Sequence, residues 1–210
     1  MQKLNYRQRV FQRLERFVPE NAVHYCFDVW CAYEFQFVIA TDRATKLGDY
    51  RYLPASNSHT VTVNIGLNKY AFLVTYIHEV AHLTATVRYG TRIKAHGEEW
   101  KNEFKQLMAP LLSELVFPPD VLKALKRYML NPKASSQSDP HLAKALRQHD
   151  ADASETMYLW QIPIGVAFRF QGRVFTKEKK QRTRSLCLEL ATGKRYLIPE
   201  MAPVEQHLAA

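Results

Sequence analysis

Residues 69–89 read KYAFLVTYIHEVAHLTATVRY, and the five residues His78-Glu79-Val80-Ala81-His82 within them decide how the rest of the chain is read. Asn68 is a suitable N-cap and Gly90 a suitable stop, so the stretch predicts a helix over about 69–88. At 3.6 residues per turn, positions i and i+4 share a face, and both imidazoles can point at one ion. Ala71, Thr75, Ala85 and Tyr89 are the neighbours on that face, mostly small, which leaves room above an ion. Leu73, Tyr76, Ile77, Val80, Leu83 and Val87 make the opposite face apolar. Glu79 is turned about 100° from His78 around the helix. A carboxylate so placed can take a proton from a metal-bound water without ligating the metal. With 8 His in 210 residues, chance supplies roughly 0.02 such H-E-x-x-H patterns per chain. Two histidines and a glutamate are also costly on a buried helix unless something partners them.

A catalytic zinc site takes three protein ligands and leaves the fourth position to water. His96 follows the Tyr89-Gly90-Thr91 break and opens the next helix, so the loop can bring it back to the ion. Glu98, Glu99 and Glu103 compete for the same place; the spacing favours His96. The other histidines, His24, His59, His141, His149 and His207, have no comparable spacing and read as surface or structural residues. Tyr89 lies on the metal face of the helix, but packing is its simpler role.

Upstream of the helix, Leu4, Val10, Phe11, Leu14, Phe17 and Val18 follow a helical stripe, and Pro19-Glu20 can open a second helix through Trp30 and Tyr33. FQFVIAT (35–41), Tyr50–Leu53 and His59–Ile65 read as three strands, close enough in sequence for an antiparallel meander. Downstream, a helix over 97–115 contains Pro110, which should kink or split it, and Pro118-Pro119 opens another through Met129. Residues 131–156 turn polar, with a short helix-like LAKALR, and read as a linker with a boundary near 155. Residues 157–203 read as short strands, with hairpin turns at Gln171-Gly172 and Thr192-Gly193.

The chain is 47% apolar and 23% charged, which excludes a disordered tail, a collagen-like fibre and a disulfide scaffold. No apolar run approaches a membrane span, and the amphipathic start lacks the apolar core of a secretory signal. Three cysteines, Cys26, Cys31 and Cys187, fit a reducing compartment, so a cytoplasmic location is expected. The net charge of +9 sits at the ends: residues 161–200 hold nine Lys/Arg against three acids, while 21–160 hold 15 against 14. Such a basic segment suggests a polyanion such as DNA as a partner.

HEVAH followed by AHGEEW resembles the SprT-like (Spartan-related) zinc metalloprotease family, whose members pair an H-E-x-x-H helix with a downstream H-G-x-x-F/W segment. Phe37-Val-Ile-Ala, Lys46-Leu-Gly-Asp-Tyr and Val63-Asn-Ile-Gly-Leu-Asn are similar to the strands before that helix. The resemblance implies an α+β, zincin-like domain over 1–130, with N-terminal helices, a three-stranded antiparallel sheet and the H-E-x-x-H helix. It implies one catalytic zinc on His78, His82 and His96, with Glu79 catalytic. It also implies protein substrates, among them proteins associated with or crosslinked to DNA. Many relatives end in a zinc ribbon built on two cysteine pairs, whereas here only Cys187 is present, so the 157–203 module should fold without metal. Its packing is expected to rest on Phe168, Phe170, Val174, Phe175, Leu186, Leu188, Tyr196 and Ile198.

Arg169, Arg173, Lys177, Lys179, Lys180, Arg182, Arg184, Lys194 and Arg195 crowd this module among aromatic residues. They are candidate contacts to a phosphate backbone, with the aromatics as stacking surfaces. An alternative to the endopeptidase is therefore a nucleic-acid-binding protein with vestigial or restrained peptidase activity. Metal-dependent hydrolysis of a non-peptide substrate is a third, since H-E-x-x-H arranges the water and leaves the substrate open.

Overall fold

The helix around H-E-x-x-H is the central element of the computed structural model, which describes residues 5–43, 46–151 and 157–206. It runs Lys69–Tyr89 (α3), starting where the Asn68 side chain accepts from the backbone N–H groups of Tyr70 and Ala71 at 3.1 and 3.0 Å. It stops at Gly90, whose φ of 80° is open to glycine and disfavoured for residues with a Cβ. Every residue from Ala71 to Ala81 is buried, so the helix is enclosed all round and not along one stripe. Val87, expected on the buried face, is exposed: the last turn projects beyond the layers that cover the rest.

Around it lie α1 (Tyr6–Phe17), α2 (Val23–Tyr33), α4 (Glu98–Met108) and α5 (Pro119–Met129). Asn5 and Gln8 form a capping box on α1, while Leu4 falls outside the described residues. Pro110 splits the expected 97–115 helix: α4 stops at Met108 and one 3-10 turn, Ala109–Leu111, follows.

The first sheet holds β1 (Gln36–Ala40), β2 (Gly48–Leu53) and β3 (Ser58–Asn64) in the order β1-β3-β2. It is mixed, and the expected antiparallel meander is corrected. β2 and β3 form an antiparallel hairpin, but β1 pairs with β3 in parallel, Phe37 opposite Val61 and Ile39 opposite Val63. Burial explains the order: β3 buries Val61, Val63 and Asn64 and takes the centre, while β2 is only half-covered and takes an edge.

Two compact units are present, Met1–Leu146 and Arg147–Ala210. Part of the expected 131–156 linker thus belongs to the first unit. Asp139 Oδ1 accepts from the His141 and Leu142 N–H groups at 3.0 and 3.1 Å and starts α6 (Pro140–Arg147). Leu142, Ala145 and Leu146 of α6 join the first core. The expected boundary near 155 lies outside the described residues.

The second unit is a five-stranded antiparallel sheet, β4 (Ala167–Phe170), β5 (Arg173–Lys180), β6 (Arg184–Glu189), β7 (Arg195–Pro199) and β8 (Glu205–Gln206), in the order β7-β6-β5-β4-β8. Gln171-Gly172 turns β4 into β5 with φ of 49° and 76°, the left-handed pair that suits a two-residue hairpin. Its core is Leu159, Ile162, Phe168, Phe175, Cys187, Ile198, Ala202 and Val204. Val174, Leu186 and Leu188, expected inside, are only partly covered, because the pleat of β5 turns Phe175 and Lys177 inward and that of β6 turns Ser185, Cys187 and Glu189 inward instead. Among the described residues no helix is long and apolar enough to cross a membrane.

Candidate metal centre

His78 and His82 lie one turn apart on α3, and the loop after Gly90 returns His96 to them just before α4 begins. Nε2 of His96 is 3.0 Å from Nε2 of His82 and 3.3 Å from Nε2 of His78. Zinc–nitrogen bonds of 2.0–2.1 Å at tetrahedral angles place ligand nitrogens about 3.3 Å apart, so the donor set fits such an ion. Neutral imidazoles can satisfy these contacts only in pairs; one cation satisfies all three. Burial pushes His78 down to about 3, with His82 and His96 adding to the effect. Burial and His96 push His82 down to about 4, and burial lowers His96. All three are therefore neutral at neutral pH, the form that ligates.

Trp100 explains the aromatic residue of the H-G-x-x-W segment. It is fully buried, with ring centroids 4.6 Å from His78, 5.3 Å from His82 and 4.7 Å from His96. Its indole N–H donates to the His78 carbonyl at 3.3 Å, so one side chain from α4 packs all three imidazoles.

The competing acids are engaged elsewhere. Glu103 is buried and accepts from Arg88 at 2.7 Å, and Glu98 is exposed and paired with Lys101 at 2.8 Å. Glu99 turns its carboxylate back towards Gly97. Among the described residues His78, His82 and His96 form the one group of three or more such side chains close enough to share an ion.

Glu79 reaches the same cleft, a space of about 440 Å³ lined by Asp49, Tyr50, His78, His82 and His96 among others. Burial raises its carboxyl to about 8; nearby Asp49 adds to this, while Arg43, Lys46 and the Tyr50 backbone N–H oppose it. A bound dication acts in the lowering direction. Gly48 is what admits Glu79: a Cβ there would lie 2.6 Å from Glu79 Oε1 and 2.7 Å from the Thr75 methyl.

Sequence reasoning missed Gly48, Tyr50 and the segment Ala134–Ser136, all of which line the cleft or its extension. Tyr50 lies parallel to the His82 ring at 6.3 Å, its hydroxyl 2.8 Å from His59 Nδ1. That contact gives His59 a structural partner. The alternation of β2 was the available signal for Tyr50, but periodicity does not say which strand borders the helix. Tyr89 is 45% exposed and is not among the cleft-lining residues.

The nine candidate cations of the second unit separate into two groups. Lys177 is corrected: it is 3% exposed, donates to the Leu159 carbonyl at 2.7 Å and pairs with Glu200 at 3.1 Å, so it cannot meet a phosphate. Its inward turn continues that of Phe175 two residues earlier. Arg169, Arg173, Lys180 and Arg195 are exposed but face Glu205, Glu189, Glu200 and Glu178 respectively. Lys179, Arg182, Arg184 and Lys194 are exposed and meet no acidic partner among the described residues. Compared with known protein families, with curated proteins and with solved structures, the chain gives no match.

Proposed function

We propose that the chain is a zinc-dependent endopeptidase of the SprT-like type, its first unit a zincin-like domain, working in the cytoplasm on protein substrates. The observation that carries this reading is the meeting of three histidine Nε2 atoms, at 3.0 and 3.3 Å, in one cleft with a buried glutamate. His78, His82 and His96 hold the ion. Zinc held there would supply Lewis acidity to the scissile carbonyl and to the attacking water. Glu79 takes the proton from the attacking water and passes it to the leaving amine. The Tyr50 backbone N–H steadies the carboxylate, and Trp100 fixes the imidazoles.

Metal analysis beside a cleavage assay on an unfolded protein tests this. One zinc per chain is expected. Glu79→Gln should keep the metal and lose about 10²–10⁴-fold in turnover, the range of general base catalysis. His96→Ala should lose metal. A chain that retains no zinc, or a Glu79→Gln variant that cuts normally, would sink the reading.

Lys179, Arg182, Arg184 and Lys194 support a second element, DNA as a partner that brings protein substrates to the enzyme. In the alternative reading they serve a nucleic-acid-binding protein whose peptidase is restrained. Binding should be non-specific in sequence and steeply salt-dependent, with a slope of about 0.9 per phosphate contact on duplex DNA. Serine at these four positions should flatten the slope and leave zinc content unchanged.

A further inference from the structure

In the order β1-β3-β2 the metal cleft is lined by β2, and β1 is the opposite edge of the sheet. Phe37 of β1 turns its backbone outward at that edge. Its N–H donates to the Tyr6 hydroxyl at 2.9 Å, and its carbonyl accepts from Arg13 at 2.8 Å, so side chains of α1 close the edge there. Ile39, two residues on, presents its N–H and carbonyl to the same side by strand alternation. Among the described residues no side chain closes the edge at Ile39. Beside it lies a groove of about 460 Å³, floored by Phe17, Ile39 and Ile65 and bordered by Arg9, Arg13 and Arg16. Ile65 is 46% exposed, an apolar side chain left open at the groove. The arginines stand at i, i+4 and i+7 of α1, and among the described residues none is paired with a carboxylate. Like charges at this spacing repel, so an anion in the groove stabilises α1 as well. Asp42, the acid that follows β1, is turned to the Gly66 N–H at 2.8 Å.

From this arrangement we infer that the groove between α1 and β1 docks an acidic, extended segment of a partner protein, with carboxylates on both sides of one medium-sized apolar side chain. The carboxylates meet Arg9, Arg13 and Arg16. Arg13 has five N–H donors in its planar fork, and its bond to Phe37 leaves others for a carboxylate. The apolar side chain covers Phe17, Ile39 and Ile65, and the backbone of the segment continues the sheet at Ile39. A nucleic acid uses less of this surface. Its phosphates match the arginines, but the aliphatic floor gives its bases nothing to stack on. Phe17, the one aromatic ring of the groove, is already stacked on Phe72 at 5.1 Å and has the Arg16 guanidinium 5.3 Å from its centroid. The inference stands apart from the endopeptidase reading, because β3 separates β1 from the strand that lines the cleft.

Fluorescence anisotropy of the full chain with a labelled Glu-Glu-Leu-Glu-Glu peptide tests this, beside a Glu-Glu-Ser-Glu-Glu peptide of equal charge and an oligothymidylate as the competing polyanion. The leucine peptide should bind about tenfold more tightly than the serine peptide, the gain from covering one apolar side chain. Arg9→Ser combined with Arg16→Ser, and separately Ile65→Ser, should each weaken the leucine peptide by about tenfold, through lost charged hydrogen bonds in the first and lost apolar cover in the second. All three positions are exposed, so thermal melts should match the wild type. Amide hydrogen exchange at Ile39 should slow in the peptide complex, and oligothymidylate affinity should be unmoved by Ile65→Ser. Equal affinity for the two peptides overturns the inference. So does peptide binding that leaves exchange at Ile39 unchanged or that survives Ile65→Ser. An oligothymidylate whose affinity falls with Ile65→Ser as well as with the arginine changes makes the groove a nucleic-acid surface and overturns it too.

Discussion

Lys177 and Glu200 of the second unit, each 3% exposed, meet at 3.1 Å; Ser185 donates to Glu200 at 2.5 Å, and Lys177 also donates to the Leu159 carbonyl. In the first unit His78 and Glu79, 9% and 7% exposed, converge with His82 and His96 on a cleft. Both units thus bury ionisable groups, at a cost that partners must offset. In the second unit the partners are protein atoms, and the cluster joins β5, β6 and the segment after β7. In the first unit the donors point at one another across a space an ion would fill. Buried polarity with its partners in place is architecture. Buried donors that converge on one another in a cleft make a candidate site.

Breaking the paired cluster gives the largest expected effect. Lys177→Met takes from Glu200 its buried cation, leaving Ser185 and the exposed Lys180 at 3.6 Å, and should cost about 3 kcal/mol in denaturant unfolding, whereas adding Glu200→Leu should recover most of that loss. His78→Leu, measured on metal-free protein, should cost far less, because it removes a buried polar group that no counter-charge supports. Similar losses for the two single variants would erase the contrast between the units.

Gly48→Ala comes next. Its methyl overlaps Glu79, so the carboxylate must move while the three imidazoles stay. Turnover should fall by about 10²-fold, the usual consequence of a misplacement near 1 Å, with zinc content unchanged. Loss of zinc would mean that β2 supports the histidines and not only the glutamate.

The smallest effect is a slope with pH in the metal-free chain. An unfolded histidine takes its proton near 6.5, while buried His78 resists protonation to about 3. Above 6.5 both states are neutral and His78 adds nothing to the pH dependence. Below 6.5 the unfolded state binds more protons, so stability falls with falling pH, by up to about 1.4 kcal/mol per pH unit from His78 until its folded pKa is reached. Thermal melts between pH 8 and pH 5 should show this loss for the wild type and a shallower one for His78→Leu. Equal slopes would place the acid sensitivity elsewhere.

Local signals carried much of the first unit. Asn68, Gly90, Pro110 and Pro119 fix helix ends by filling or removing backbone hydrogen bonds, and those effects act over a few residues. The spacing of His78, Glu79 and His82 is likewise a property of one helix. His96 was legible as a candidate, but its advantage over Glu103 became a distance only once α4 packed on α3 and gave Glu103 to Arg88.

The second unit was harder to read, because alternation in β6 allowed either Leu186 and Leu188 or Cys187 to point inward. The leucines were the more apolar choice, and the chain took the other phase. In that phase Ser185 turns inward and donates to Glu200, which also meets Lys177, a grouping that only the folded sheet brings together. The same holds for the order β1-β3-β2, for Gly48 beside Glu79 and for the wall that Ser135 and Ser136 give the extension of the cleft. The sequence by itself determined the helix, its caps and the pair of histidines on one face, because hydrogen bonding and periodicity along a single segment suffice for them. Tertiary structure alone decided the central place of β3, the third nitrogen, the fate of each cation and the shape beyond Glu79, because each depends on which distant side chains share the space and which charges can be desolvated together.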